Sequence, residues 1–200
     1  MTTLYIGSKQ FSSWSMRPWL CLQYAGIDFK EVIIPLRTDQ TKAEISAVSP
    51  SKKVPCLDHN GLLIWDSLAI CEFINELKPE AELLPKNQEK RAIIRSVIAE
   101  MHSGFLDLRK EMPMDTKLKT TQIASPEAQI NIDRILEIWA LARKKYGADG
   151  EFLFGKFSIA DAFFAPVVSR FVSYGVDVKE MKNYVKTMTN LSIYQDWVLA

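Results

Sequence analysis

Apolar residues along this chain recur first at strand spacing and later at helix spacing. Leu4-Tyr5-Ile6 and Val32-Ile33-Ile34 are short apolar runs bounded by Gly7 and Pro35, and the helical segment between them closes at Gly26. A strand, a helix and a second strand joined this way pair in parallel. Residues 54 to 57 and 62 to 65 then flank Asp58-His59-Asn60-Gly61, whose Asn-Gly pair is a strong hairpin signal, so these two strands run antiparallel. Ile70, Phe73, Ile74 and Leu77 follow at i, i+3, i+4 and i+7, the spacing of a helix that covers a sheet. The predicted order is β-α-β-α-β-β-α, an α/β unit.

Beyond Lys78-Pro79-Glu80 the strand signals stop. Pro79 and Pro85 bracket a polar connector, which divides the chain into an α/β domain over residues 1–78, a linker over 79–88 and an all-helical domain over 89–200. Ile94, Val97, Ile98, Met101, Phe105 and Leu108 form one apolar stripe up to Pro113, read as a single long helix from Ile93 to Leu108. Ile132, Ile135, Leu136, Trp139 and Tyr146 make a second stripe that ends at Gly147. In Phe157-Ser158-Ile159-Ala160-Asp161, Ser158 and Asp161 have the spacing of a capping box with Asp in place of Glu, a folding device and not a catalytic one.

Composition narrows the function without naming it. With 200 residues and 48% hydrophobic content the chain can bury a sizeable core, and a formal net charge of +1 gives no global attraction to nucleic acid or anionic membrane. No apolar run reaches membrane-spanning length and the N-terminus does not read as a signal peptide, so a soluble cytoplasmic protein is expected. Cys21, Cys56 and Cys71 are odd in number and lack metal-ligand spacing, which points to reduced, buried thiols and to no metal site. His59 reads as a turn residue and His102 as a packed or interfacial histidine, not a base.

Two stretches carry candidate chemistry. Ser12-Ser13-Trp14-Ser15-Met16-Arg17 puts hydroxyls at a helix start, where free N–H groups and the helix dipole favour an anion such as a thiolate. Lys53-Val54-Pro55 holds Val54 extended, makes the Val54-Pro55 bond a candidate for the cis form and suits an edge that pairs with a peptide, while Asp66-Ser67 opens a helix after an apolar strand. Singly, a serine cluster or an Asp-Ser pair before a helix is most often a cap. Their joint order along one fold is what distinguishes them.

That order resembles the cytosolic glutathione transferases, which combine a thioredoxin-like N-terminal domain carrying V-P and E/D-S motifs with an all-helical C-terminal domain. The resemblance covers the whole chain. It implies a detoxification-type transferase with glutathione as cosubstrate, a small electrophile as second substrate, no metal and a homodimeric assembly whose seam the long apolar helix from Ile93 to Leu108 is available to line. Mapped onto the zeta-class pattern S-S-C-S-x-R, the thiolate donor falls on Ser12, with Ser13 beside it, Arg17 on the matching arginine and Trp14 replacing the cysteine that supports isomerase chemistry in that class. Ser13, Lys53, Val54, Asp66 and Ser67 would contact glutathione, with Pro55 shaping that edge. Trp14, Arg17 and Arg109 are candidates for the electrophile pocket, and Gln40 and Lys42 lie in the region that often meets the glycine carboxylate. A zeta-type isomerase and a non-catalytic binding or regulatory relative are the alternatives. A redox thioltransferase fits least, because the first helix turn holds no cysteine.

Overall fold

The computed structural model describes residues 1–200. Four strands form one sheet in the order β2-β1-β3-β4, with β1 (Thr2–Gly7) parallel to β2 (Lys30–Ile34) and antiparallel to β3 (Cys56–His59), which pairs antiparallel with β4 (Leu62–Ile64). Between them run α1 (Ser13–Tyr24) and α2 (Thr41–Val48), and α3 (Ser67–Leu77) follows the hairpin. This is the expected β-α-β-α-β-β-α order of a thioredoxin-like unit, followed by a helical region. The hairpin is tighter than its sequence suggests. Asp58 and His59 belong to β3, the turn is Asn60-Gly61 with both residues at positive φ, and Val54-Pro55 lies outside the strand. Asp58 accounts for the shift, because its carboxylate accepts the Gly61 N–H at 2.8 Å and closes the turn from the strand end.

The helical region comprises α4 (Gln88–Ser103), α5 (Leu106–Glu111), α6 (Pro126–Tyr146), α7 (Ile159–Tyr174), α8 (Lys182–Asn190) and α9 (Ser192–Val198). The single long helix expected from Ile93 to Leu108 is in fact two. Gly104 caps α4 in an extended conformation and Phe105 sits at φ 62°, so the apolar stripe continues across a break instead of along one axis. Ile94, Ile98, Met101, Phe105 and Leu108 nevertheless all reach the core, which is why periodicity alone did not reveal the break.

One hydrophobic cluster spans both parts of the chain, and α1 lies at its centre against α3 and α7. Helix α7 is buried along almost its whole length. Its N-terminus carries the expected capping box: the Asp161 carboxylate accepts from the Ser158 N–H at 2.9 Å and the Ser158 hydroxyl at 3.0 Å, and also from the Leu153 N–H at 3.0 Å. All three cysteines are free and buried, as their apolar neighbours suggest. No single helix is long and apolar enough to cross a membrane.

Candidate functional site

Three loops at one end of the sheet bring the candidate residues together. The first joins β1 to α1. Ser12 is the N-cap residue of α1, yet its hydroxyl makes no capping bond; it donates to the Ser15 Oγ at 2.7 Å, and Ser15 Oγ in turn accepts the Gly7 N–H at 3.1 Å. Ser12, Ser13 and Ser15 are all buried. Trp14, the residue between them, is the part of this turn that reaches the surface of the cleft described next.

The second and third loops face each other across a cleft of about 540 Å³. Val54-Pro55, a cis peptide bond, forms one wall with Lys53 and Ser51, and Trp65, Asp66 and Ser67 form the other. Asp66 caps α3, accepting the Leu68 N–H at 2.9 Å. Its second oxygen accepts from His102 Nε2 of α4, also at 2.9 Å, so the helical region closes one end of the cleft. Ser67 is different. Its hydroxyl is fully buried at the first turn of α3 and has no partner within the protein, although buried hydroxyls are nearly always hydrogen-bonded. A donor at a helix N-terminus, beside free backbone N–H groups, is suited to a carboxylate.

Beneath Trp14 lies a cluster of cations. The Arg17 guanidinium stacks 4.2 Å from the Trp14 ring centroid and 4.5 Å from that of Phe163, and Arg109 lies 5.1 Å from Trp14. Arg17 is fully buried and none of its three side-chain nitrogens has a partner. Burial and then repulsion from Arg109 and Arg170 push its pKa well below the ordinary arginine range, with Cys71 and Asp66 opposing. Arg109 donates to the carbonyls of Gly104 and Met101, while one of its terminal nitrogens is also buried and unpaired. Arg170 is satisfied by the carbonyls of Met112 and Pro166, and burial lowers its pKa to about 9. The cleft therefore has a peptide-like wall along Lys53, Val54 and Pro55, while the Arg17–Arg109 cluster lies behind Trp14 and does not line it.

Of the residues that the sequence nominates, Trp14, Lys53, Val54, Pro55, Asp66 and Ser67 line this cleft. Ser12 and Ser13 stand behind its wall, and Arg17 and Arg109 lie below it. Ser158 and Asp161 are in the α7 cap, away from the cleft. Sequence reasoning missed Ser51, Trp65 and His102 as lining residues. Only His102 carried any signal, as a polar residue beside the core position Met101, and its partner Asp66 is too distant in sequence for spacing to reveal.

Residues 11–77 match the family described as "Glutathione S-transferase, N-terminal domain". The chain is 31% identical over 184 residues to the maleylacetoacetate isomerase of Rattus norvegicus, covering 88% of this chain and 80% of that one. The chain belongs to the cytosolic glutathione S-transferase family. The mouse maleylacetoacetate isomerase is 28% identical over 204 residues, covering 96% of this chain and 89% of its own length. Among solved structures, a Burkholderia glutathione transferase homolog with bound glutathione superposes with a TM-score of 0.74 at 27% identity, covering 99% of this chain and 96% of that one. Zeta-class maleyl pyruvate isomerase, a bacterial family member, reaches a TM-score of 0.76 at 20% identity and shares the fold.

Proposed function

We propose that this glutathione transferase family member binds glutathione in the cleft between Val54 and Ser67, stabilises its thiolate through the Ser12 hydroxyl and transfers it to a small electrophile. The observation that carries the reading is the Ser67 hydroxyl, buried and unpaired at the N-terminus of α3. It suits the γ-glutamyl carboxylate, with Asp66 beside it for the ammonium. Val54 and Lys53 meet the cysteinyl backbone as an added strand, and Pro55 leaves that edge without competing donors. Residues 1–78 then form the glutathione-binding domain and 89–200 the helical domain that completes the electrophile pocket. The protein acts in the cytoplasm as a homodimer.

The chemistry follows from where the thiol comes to rest. A free thiol has a pKa of about 8.5, so a hydroxyl donor at a helix N-terminus that lowers it by one unit supplies about 1.4 kcal/mol of differential stabilisation. The thiol proton leaves to solvent. Ser12 holds the thiolate until its lone pair forms the new bond to the electrophilic carbon. As that bond forms, the bond from the carbon to its leaving group breaks and the leaving group departs with the electron pair, or the π pair of an activated double bond moves to its acceptor and takes up a proton from solvent. Ser13 keeps the turn in place.

A second reading, glutathione-dependent isomerisation of an anionic substrate, is favoured by the unpaired Arg17 beside Arg109 under Trp14. The maleylacetoacetate isomerases among the relatives point the same way. Trp14 in place of the zeta-class cysteine stands against it. Calorimetric titration with glutathione tests the shared part: Ser67→Ala should bind about tenfold more weakly, the equivalent of about 1.4 kcal/mol. Unchanged affinity would remove the cleft from the site. A panel pairing neutral with carboxylate-bearing electrophiles separates the two readings, since only the second requires the carboxylate.

A further inference from the structure

The loop that delivers Ser12 is held from the other part of the molecule. Within the loop, the N–H groups of Phe11 and Ser12 both donate to the Ser8 carbonyl, at 3.0 and 2.9 Å. Its two central residues are fixed by the helical region instead. The Lys9 carbonyl accepts from Trp197 Nε1 of α9 at 3.0 Å, the Gln10 carbonyl accepts the Thr116 N–H at 3.2 Å, and Gln10 Nε2 donates to Asp115 Oδ1 at 2.8 Å.

Each anchor is itself secured. Trp197 is fully buried and packs edge-on against Trp19 of α1, with ring centroids 5.3 Å apart. The Lys9 ammonium lies 4.7 and 5.5 Å from the centroids of Trp19 and Trp197 and 3.0 Å from Glu31, which also accepts from Trp19 Nε1 at 2.5 Å. Asp115 accepts the Ser173 hydroxyl of α7 on its carbonyl at 2.8 Å, and the carbonyls of Met112 and Pro113 are taken by Arg170 and Tyr174 of the same helix. A chain of hydrogen bonds thus runs from the buried helix α7 through residues 112–116 to the turn that ends at Ser12.

We infer that Gln10, Asp115 and Trp197 are positioning residues for Ser12, so that the helical region sets the ionisation of the bound thiol through the β1–α1 loop. The inference rests on Ser12 as thiolate donor. To serve in that role the Ser12 hydroxyl turns from Ser15 towards the sulfur, and a hydrogen bond weakens steeply once its angle falls below about 120°. A loop released at Lys9 and Gln10 lets the hydroxyl drift out of line. The groups that hold glutathione itself, Val54, Asp66 and Ser67, lie on other loops and stay in place. The signature is therefore a raised thiol pKa at unchanged affinity, which a merely structural contact would not produce.

The experiment follows thiolate ultraviolet absorbance against pH in the binary complex with glutathione, alongside calorimetric affinity and melting temperature. Trp197→Phe keeps an aromatic side chain but deletes the indole N–H together with part of the ring; Gln10→Ala removes the bond to Asp115 without touching the core; Asp115→Asn keeps an acceptor oxygen. The first two should each leave about threefold less thiolate at a given pH below the midpoint, a shift of about half a unit, with affinity within about twofold of wild type. Asp115→Asn should retain the wild-type value. Should Trp197→Phe fail to fold, Gln10→Ala decides alone. If Ser12→Ala moves the thiol pKa while Trp197→Phe and Gln10→Ala lower only the melting temperature, the positioning inference is overturned and the donor stands. If Ser12→Ala itself moves nothing, the donor assignment is what fails, and the inference falls with it.

Discussion

Ser12 and Ser67 are the two hydroxyls on which the proposed chemistry turns, and their surroundings differ. Ser67 has no partner; Ser12 has one, the Ser15 Oγ, which is already anchored by the Gly7 N–H. Turning the Ser12 hydroxyl away therefore leaves Ser15 with its backbone donor, so the exchange for a thiolate costs one ordinary hydrogen bond and gains a charge-assisted one. Ser12→Ala should raise the pKa of bound glutathione by one unit or more and lower turnover at neutral pH about tenfold per unit, with little change in affinity. Ser13→Ala should do neither. Ser15→Ala, which removes the acceptor of the Gly7 N–H, should lower the melting temperature first. A large thiol shift in Ser13→Ala and none in Ser12→Ala would move the donor by one residue. The serine turn, the V-P edge and the D-S cap were legible because each is a local motif with a local physical reason. His102 and the orphaned state of Arg17 were not, because both depend on what a different helix brings to the same place.

Helix α7 joins the site to the core, and its cap is a point where pH acts on folding. Burial raises the Asp161 carboxyl from its ordinary value to about 6, against the opposing hydrogen bonds from the Leu153 N–H and from Ser158. A carboxyl whose folded pKa is raised takes up its proton more readily in the native state, so its contribution to stability is fully present below the unfolded value of about 3.9 and is lost as pH rises through about 6. The loss across that window amounts to about 3 kcal/mol for a shift of about two units. Asp161→Asn removes the titration but also a bond of the cap, so it should be less stable than wild type at pH 4.5, with the gap narrowing towards pH 8. Urea unfolding of both proteins at several pH values checks this; a gap that stays constant would show that Asp161 does not titrate in the folded protein. The capping box was readable from two residues at fixed spacing. The break between α4 and α5 was not, since Gly104 and Phe105 sit inside a stripe whose apolar positions all reach the core on either side of the turn.

Assembly is the property for which the structure alters the argument most. The apolar stripe of the first helix of the helical region, expected to line a seam between subunits, is used within the chain: Ile94, Ile98 and Met101 are buried. The outward side of α4 carries ion pairs instead, Arg95 with Glu72 and Glu100 with Arg134. Exposed apolar side chains gather elsewhere. Leu62, Leu63 and Trp65 lie on and just beyond β4, the edge of the sheet, and are 56%, 37% and 46% exposed; Leu77, at the end of α3, is 40% exposed. An unprotected edge strand with outward leucines invites pairing with another chain, and burying it symmetrically in a homodimer satisfies both copies at once. Homodimerisation should therefore depend on β4 more than on α4. Sedimentation equilibrium at micromolar concentration should give twice the 22.8 kDa chain mass for wild type, and Leu62→Glu should shift the population to monomer, whereas Ser96→Glu on the outer face of α4 should leave it dimeric. A wild-type monomer would overturn the assembly altogether. A dimer broken by Ser96→Glu and not by Leu62→Glu would return the seam to α4, where it would have to be held by ion pairs, and its dissociation constant would then rise steeply with salt.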